Sequence, residues 1–198
     1  MSGAVRPDTT RAGFAGHVPG EAGIWLFIAG DMVLFSVLFA VFLTHRAEAP
    51  DLFGAGRAAL DPRLGLVNTL LMLTSSWFVA TGVAAARRRR PRIPAACFAA
   101  ALACGAGFAG VKYLEYSAKF TAGLTPMTDD FFMFYFVYTG IHMIHVVIGM
   151  GVLYGLIAYL RGRDIAVVNL QHLETGASFW HLVDLLWIVL FALLYLVA

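Results

Sequence analysis

Five long apolar stretches leave this chain little choice of fold. They run from Gly23 to Thr44, Leu64 to Ala86, Pro94 to Ser117, Phe131 to Leu160 and Gly176 to Val197. Each is close to the ~20 helical residues needed to cross ~30 Å of hydrocarbon. The expected fold is all-α: a polytopic membrane protein built as a bundle of five transmembrane helices. The composition excludes a soluble class, since only 13% of residues are charged and 60% are hydrophobic, whereas soluble domains carry about a quarter charged residues. Once five spans are subtracted from 198 residues, no room remains for a sizeable extramembrane domain. Any chemistry or binding must take place within the helices or short loops. The fourth stretch is longer than a span requires, which predicts tilt or projection beyond the bilayer.

Residues 1–21 are polar and Gly-rich and lack an apolar core. They are expected to form a disordered cytoplasmic tail and not a cleaved signal peptide, with 22–198 as the membrane domain. Lys and Arg placement predicts the orientation. If Arg87, Arg88, Arg89, Arg90 and Arg92 are cytoplasmic, Arg6, Arg11, Arg161 and Arg163 join them, giving nine against four (Arg46, Arg57, Arg63 and Lys119). The positive-inside rule then puts the N-terminus in the cytoplasm and the C-terminus on the periplasmic side. The arginine run itself reads as a topology signal before any nucleic-acid or lipid site.

Within these apolar stretches lie a few ionisable residues. Asp31 falls near the middle of the first, where a carboxyl group costs roughly 2.5 to 3.5 kcal/mol on insertion scales. His142 and His145 lie near the middle of the fourth stretch, and His181 and Asp184, three apart, in the fifth. At ~1.5 Å per residue these groups reach comparable depths. They are expected to form one polar layer between the first, fourth and fifth spans, or against a partner. The layer could relay protons, hold a redox centre, bind a lipid headgroup, or simply glue helices together. Lys112 and Glu115, three apart in the third span, read as a local ion pair of secondary interest.

The pair in HMIH has a spacing that can share a metal, yet the chain has no HExxH and no pair of ExxH motifs. The count of histidines alone does not exclude a haem. Cys97 and Cys104, seven apart on one helix, cannot bridge within it and read as packing residues. Small residues in ALACGAGFAG and GMGVLYG predict close helix approach. Asn68, Thr69, Thr74, Ser75 and Ser76 predict interhelical hydrogen bonds, and Trp25, Trp180, Tyr113 and Tyr116 read as interfacial anchors.

Several stretches together carry a resemblance: GIWLFIAGDMVLFSVLFAVF, LVNTLLMLTSSW, the EY of KYLEYSAKF, FFMFYFVYTGIHMIHVVIGMGVL and FWHLVDLLWIVLFALLYL. In order and spacing the chain resembles subunit III of the haem-copper oxidase superfamily from Ala22 onward. It resembles the last five of the seven helices of larger members. GDMVLFSVLF, KYLEYSAKF and LVDLLWIVLFALLYL are similar to the nitric-oxide-reductase-associated, NorE-type branch. The resemblance implies an accessory subunit, not an enzyme, of a bacterial inner-membrane complex, with no cofactor of its own. Haem and metal are expected in an integral catalytic partner, of nitric oxide reductase or alternatively of an aerobic cytochrome oxidase. Bound phospholipid is compatible with the family, and no nucleic acid is expected. By match, Asp31 stands where the family usually has a buried Glu, one methylene longer, and Glu115 is the EY carboxylate. His142, His145, His181 and Asp184 are its polar positions. From a different class, a small proton or solute translocator would use Asp31 and the histidines, and would need a continuous polar path.

Overall fold

The computed structural model describes residues 20–197. Most of the expected N-terminal tail, with Arg6 and Arg11, lies outside the described residues. The helices are α1 (Ala22–Glu48), α2 (Pro50–Ala58), α3 (Pro62–Arg87), α4 (Ile93–Thr121), α5 (Asp130–Leu160) and α6 (Leu170–Phe191). A 3₁₀ turn (Ile165–Val167) precedes α6, which ends in a π-helical segment (Ala192–Val197). Among the described residues, five helices are long and apolar enough to cross a membrane.

Local chemistry sets the boundaries. Asp61, Asp129 and Asn169 each accept a backbone N–H at the start of α3, α5 and α6, satisfying donors that a helix start leaves open. Pro62 and Pro94 occupy early helical positions, where a missing N–H costs nothing. The tight α3–α4 turn places Arg89 and Arg92 at positive φ (52° and 65°). Two departures follow from such signals. The last helix begins at Leu170, ahead of the expected Gly176, because Asn169 caps it. The short α2 was not anticipated; it buries Phe53 and Gly56 in an aromatic cluster with Phe42, Phe131 and Phe134.

Helices α3, α4, α5 and α6 form a ring in which each packs on the next and α6 returns to α3. Helix α1 lies outside this ring against α6 and buries the smallest share of its apolar stretch among the spans. Side chains also tie it to α5: Tyr138 donates its hydroxyl to the Leu38 carbonyl. The expected close approach occurs at particular glycines. A Cβ on Gly105 or Gly149 would come within 2.9 and 2.7 Å of the Trp180 ring, so both helices close onto that indole. Gly151 and Gly155 meet nothing within 4 Å and face outward.

Trp180 therefore corrects its expected role. It is 0% exposed, a knob in the ring's interior and not an interfacial anchor. Tyr116 is also turned inward and hydrogen-bonds Thr139, whereas Trp25 and Tyr113 remain exposed. In the α3 polar series, Thr74 faces outward while Ser75 donates to the Ala101 carbonyl across the α3–α4 contact.

Candidate functional site

The expected single polar layer is divided by the structure into separate sites. On the α1–α5 side, Asp31 Oδ1 lies 3.1 Å from His145 Nε2, and His145 Nδ1 lies 2.9 Å from the Ile141 carbonyl. A carbonyl only accepts, so Nδ1 carries a hydrogen. The second nitrogen then meets Asp31 either as the N–H of an imidazolium facing a carboxylate, or as a lone pair facing a carboxylic acid. Both states place one proton on the Nε2–Oδ1 line. Phe35 packs edge-on to the His145 ring at 5.7 Å and fixes its orientation. Asp31 is 8% exposed, and its Oδ2 has no hydrogen-bond partner among the described residues.

His181 and Asp184 belong to the α3–α6 contact instead. His181 Nδ1 is 2.6 Å from Ser76 Oγ, and Asp184, three residues on along α6, is buried with its Oδ1 lacking a hydrogen-bond partner among the described residues. His142 joins neither group. Its ring packs against Phe108 and Trp187, with centroids 5.6 and 5.5 Å away, and neither nitrogen finds a partner among the described residues. Although three residues apart on one helix, His142 turns into the ring while His145 turns toward α1. The layer between the first, fourth and fifth spans is thus corrected to an Asp31–His145 pair, a Ser76–His181 pair with Asp184 farther along α6, and an isolated imidazole.

Lys112 and Glu115 form the most completely satisfied polar cluster of the interior. Their Nζ–Oε2 distance is 2.9 Å, with side chains 1% and 2% exposed. Lys112 also donates to the hydroxyls of Tyr195 (2.9 Å) and Tyr135 (3.3 Å), which uses all three ammonium donors. Tyr195 donates in turn to Glu115 Oε1 at 2.6 Å. The Trp187 ring centre lies 5.1 Å from Nζ, within cation–π range. The local ion pair was legible from the spacing. The aromatic cage around it was not, because Tyr135 and Tyr195 come from α5 and the π-helical end.

Sequence reasoning missed Glu174. It is 4% exposed and accepts from Arg87 Nη2 and Nε at 2.8 and 3.1 Å, with the Gly20 N–H on its other oxygen. Starting the last span at Gly176 left Glu174 in a loop; Asn169 as a cap would have moved it into the helix. Trp187 Nε1 donates to Thr69, another link between α3 and α6. Among the described residues no three His, Cys, Asp or Glu side chains converge as a metal-ligand set, and both cysteines are free.

Comparison with known proteins supplies a family. The chain is 29% identical over 179 residues to the quinol oxidase subunit 3 of Bacillus subtilis strain 168, covering 88% of this chain and 85% of that protein. It is 31% identical over 178 residues to the cytochrome c oxidase subunit 3 of Thermostichus vulcanus, with coverage of 88% and 85%. With the cytochrome bo(3) ubiquinol oxidase subunit 3 of Pseudomonas aeruginosa PAO1 the identity is 28% over 177 residues, covering 88% and 83%. The profile of the family described as cytochrome c oxidase subunit III matches residues 12–198. Matched over nearly all of the described helices, this chain belongs to the cytochrome c oxidase subunit III family of the haem-copper oxidases and is a non-catalytic, accessory subunit.

Proposed function

We propose that this chain is subunit III of an aerobic terminal oxidase, of the quinol or cytochrome c type, in a bacterial inner membrane with its N-terminus in the cytoplasm. The observation that carries this reading is the match to oxidase subunits over 83 to 85% of their own length. It also bears on the NorE-type branch. A chain of five spans resembles that branch, but these oxidase subunits are spanned nearly whole by the same chain, so shortness does not separate the two. The motif GDMVLFSVLF remains the feature favouring a nitric oxide reductase partner.

In this reading the subunit packs beside an integral catalytic partner that holds the haem and metal, and it supports assembly and sustained turnover. The Asp31–His145 pair is its buried proton-holding group. Its shared proton and the unpartnered Oδ2 support that role, and the small buried share of α1 leaves this side open to a neighbour or lipid. The translocator reading finds less support. It needs linked polar groups, whereas among the described residues no hydrogen bond joins Asp31–His145 to Ser76–His181 or Asp184.

The test is purification of the tagged full chain in mild detergent, followed by an absorption spectrum and mass spectrometry of the proteins that accompany it. Co-elution of haem with an oxidase catalytic subunit is the expected result. A nitric oxide reductase subunit would move the chain to the other branch. Elution alone and colourless would overturn the accessory reading.

A further inference from the structure

The first part of α1 has little packing to hold it. Between Gly23 and Gly30 no residue is buried; Ile24 and Ile28 are half-buried and the others are exposed. Asp31 is the first buried residue beyond them. Farther along, the helix is well fastened. Tyr138 donates to the Leu38 carbonyl, and the Phe42 ring packs edge-on to Phe53 and Phe134 at 5.2 and 5.7 Å. A helix fastened only along that later length is free to pivot at its start, and a carboxylate at the boundary would move with it.

The start is held from α6 instead. Gln171, Glu174 and Thr175 are spaced three and four residues apart, which puts them on one helix face, and together they grip the backbone ahead of α1. Gly20 donates its N–H to Glu174 Oε2 at 3.3 Å, and Glu21 donates its N–H to Thr175 Oγ1 at 3.0 Å. Gln171 Nε2 donates to the Gly20 carbonyl at 3.5 Å. Gly20 is buried at φ +80°, and a Cβ there would lie 3.1 Å from Thr175. Glycine alone suits both that backbone and that approach. From α3, Arg87 gives two hydrogen bonds to Glu174 Oε1, at 2.8 and 3.1 Å, and so braces the carboxylate with Oε2 toward Gly20.

We propose that Glu174 is a positioning residue: braced by Arg87, it clips the start of α1 to α6 and so sets the Asp31 carboxylate opposite His145. Asp31 follows Glu21 by about 15 Å of helix at ~1.5 Å per residue. With no buried residue from Gly23 to Gly30, a shift or rotation at Gly20 passes undamped to the 3.1 Å contact with His145. A bond from a backbone N–H to a carboxylate is among the stronger hydrogen bonds, and Glu174, 4% exposed, makes it where water competes little. The importance of the clip to the complex rests on the proton-holding reading of Asp31; its geometry does not.

The experiment uses the full chain in mild detergent. It reads hydrogen–deuterium exchange along α1 and the infrared carboxyl band of Asp31, assigned by its loss in Asp31→Asn. Glu174→Gln should raise exchange over residues 20–31 by roughly tenfold or more, leave residues 36–48 like the parent chain, and shift the Asp31 band. Gly20→Ala keeps Glu174 and Arg87 but strains the clip, so it should do the same, and it serves alone if Glu174→Gln melts poorly. The reversed pair, Arg87→Glu with Glu174→Arg, rebuilds the salt bridge yet offers Gly20 no acceptor at position 174, so the start of α1 should stay loosened. Parent-like exchange and band position in Glu174→Gln or Gly20→Ala, full recovery in the reversed pair, or equal loosening of residues 36–48 would overturn the proposal. Neither readout involves turnover. An assembled complex that keeps its turnover with Asp31→Asn would count against the proton-holding reading alone.

Discussion

Asp31–His145 and Lys112–Glu115 are both ionisable pairs buried in an apolar bundle, yet they are built to opposite ends. In the Lys112 cluster all three ammonium donors and both carboxylate oxygens are used. It joins α4, α5 and the π-helical end in the ring's interior. In the Asp31 pair one carboxylate oxygen is unused, and the carboxylate sits on α1, the helix that buries least. A fully satisfied network rigidifies, whereas a buried acceptor without a partner carries a desolvation cost that a neighbour or a proton can relieve. The comparison teaches that burial of charge does not by itself mark function; a buried carboxylate oxygen left without a hydrogen-bond partner is the sharper marker.

Breaking the Lys112 cluster should have the largest effect. Lys112→Met leaves Glu115 and two hydroxyls in an apolar interior, and loss of one partner from a buried pair costs about 3 to 5 kcal/mol. Thermal unfolding in detergent should show this, and adding Glu115→Gln should recover part of the loss. If Lys112→Met melts like the parent chain, the cluster does not knot these helices together. Next in size, Tyr195→Phe removes one acceptor from Lys112 and one donor from Glu115. An expected cost of about 1 to 3 kcal/mol can be read in the same assay.

Asp31→Asn should act in the opposite way. The pair holds few helices together, so stability should change by about 1 kcal/mol or less. Infrared difference spectra should lose the Asp31 carboxyl band, and turnover of the assembled complex should decline sooner. A stability loss as large as that of Lys112→Met would place Asp31 with the structural groups. The smallest effect belongs to Gly151→Ala. Its Cβ meets nothing within 4 Å and alanine favours helix by up to ~1 kcal/mol, so melting should hold or rise slightly. Gly149→Ala, facing Trp180 at 2.7 Å, should instead destabilise by about 1 to 3 kcal/mol.

The span count, the helical class and the family could all be read from the order of residues. Apolar length is a one-dimensional property, and motifs such as HMIH and WHLVD keep their spacing whatever the packing. The Lys112–Glu115 pair was legible for the same reason, being three apart on one helix. Which helix faces which is not written in any single stretch. The rotation of α5 separates His142 from His145, and the start of α6 at Asn169 brings Glu174 inside to meet Arg87. Trp180 has the composition of an anchor, but glycines on two other helices make room for it in the interior. Only tertiary structure decides such pairings, because each depends on side chains from helices remote in sequence meeting at one depth. By itself the sequence determined that charges must be buried in this membrane bundle; packing determined which are fully satisfied, as at Lys112 and Glu115, and which keep an oxygen without a hydrogen-bond partner, as at Asp31 and Asp184.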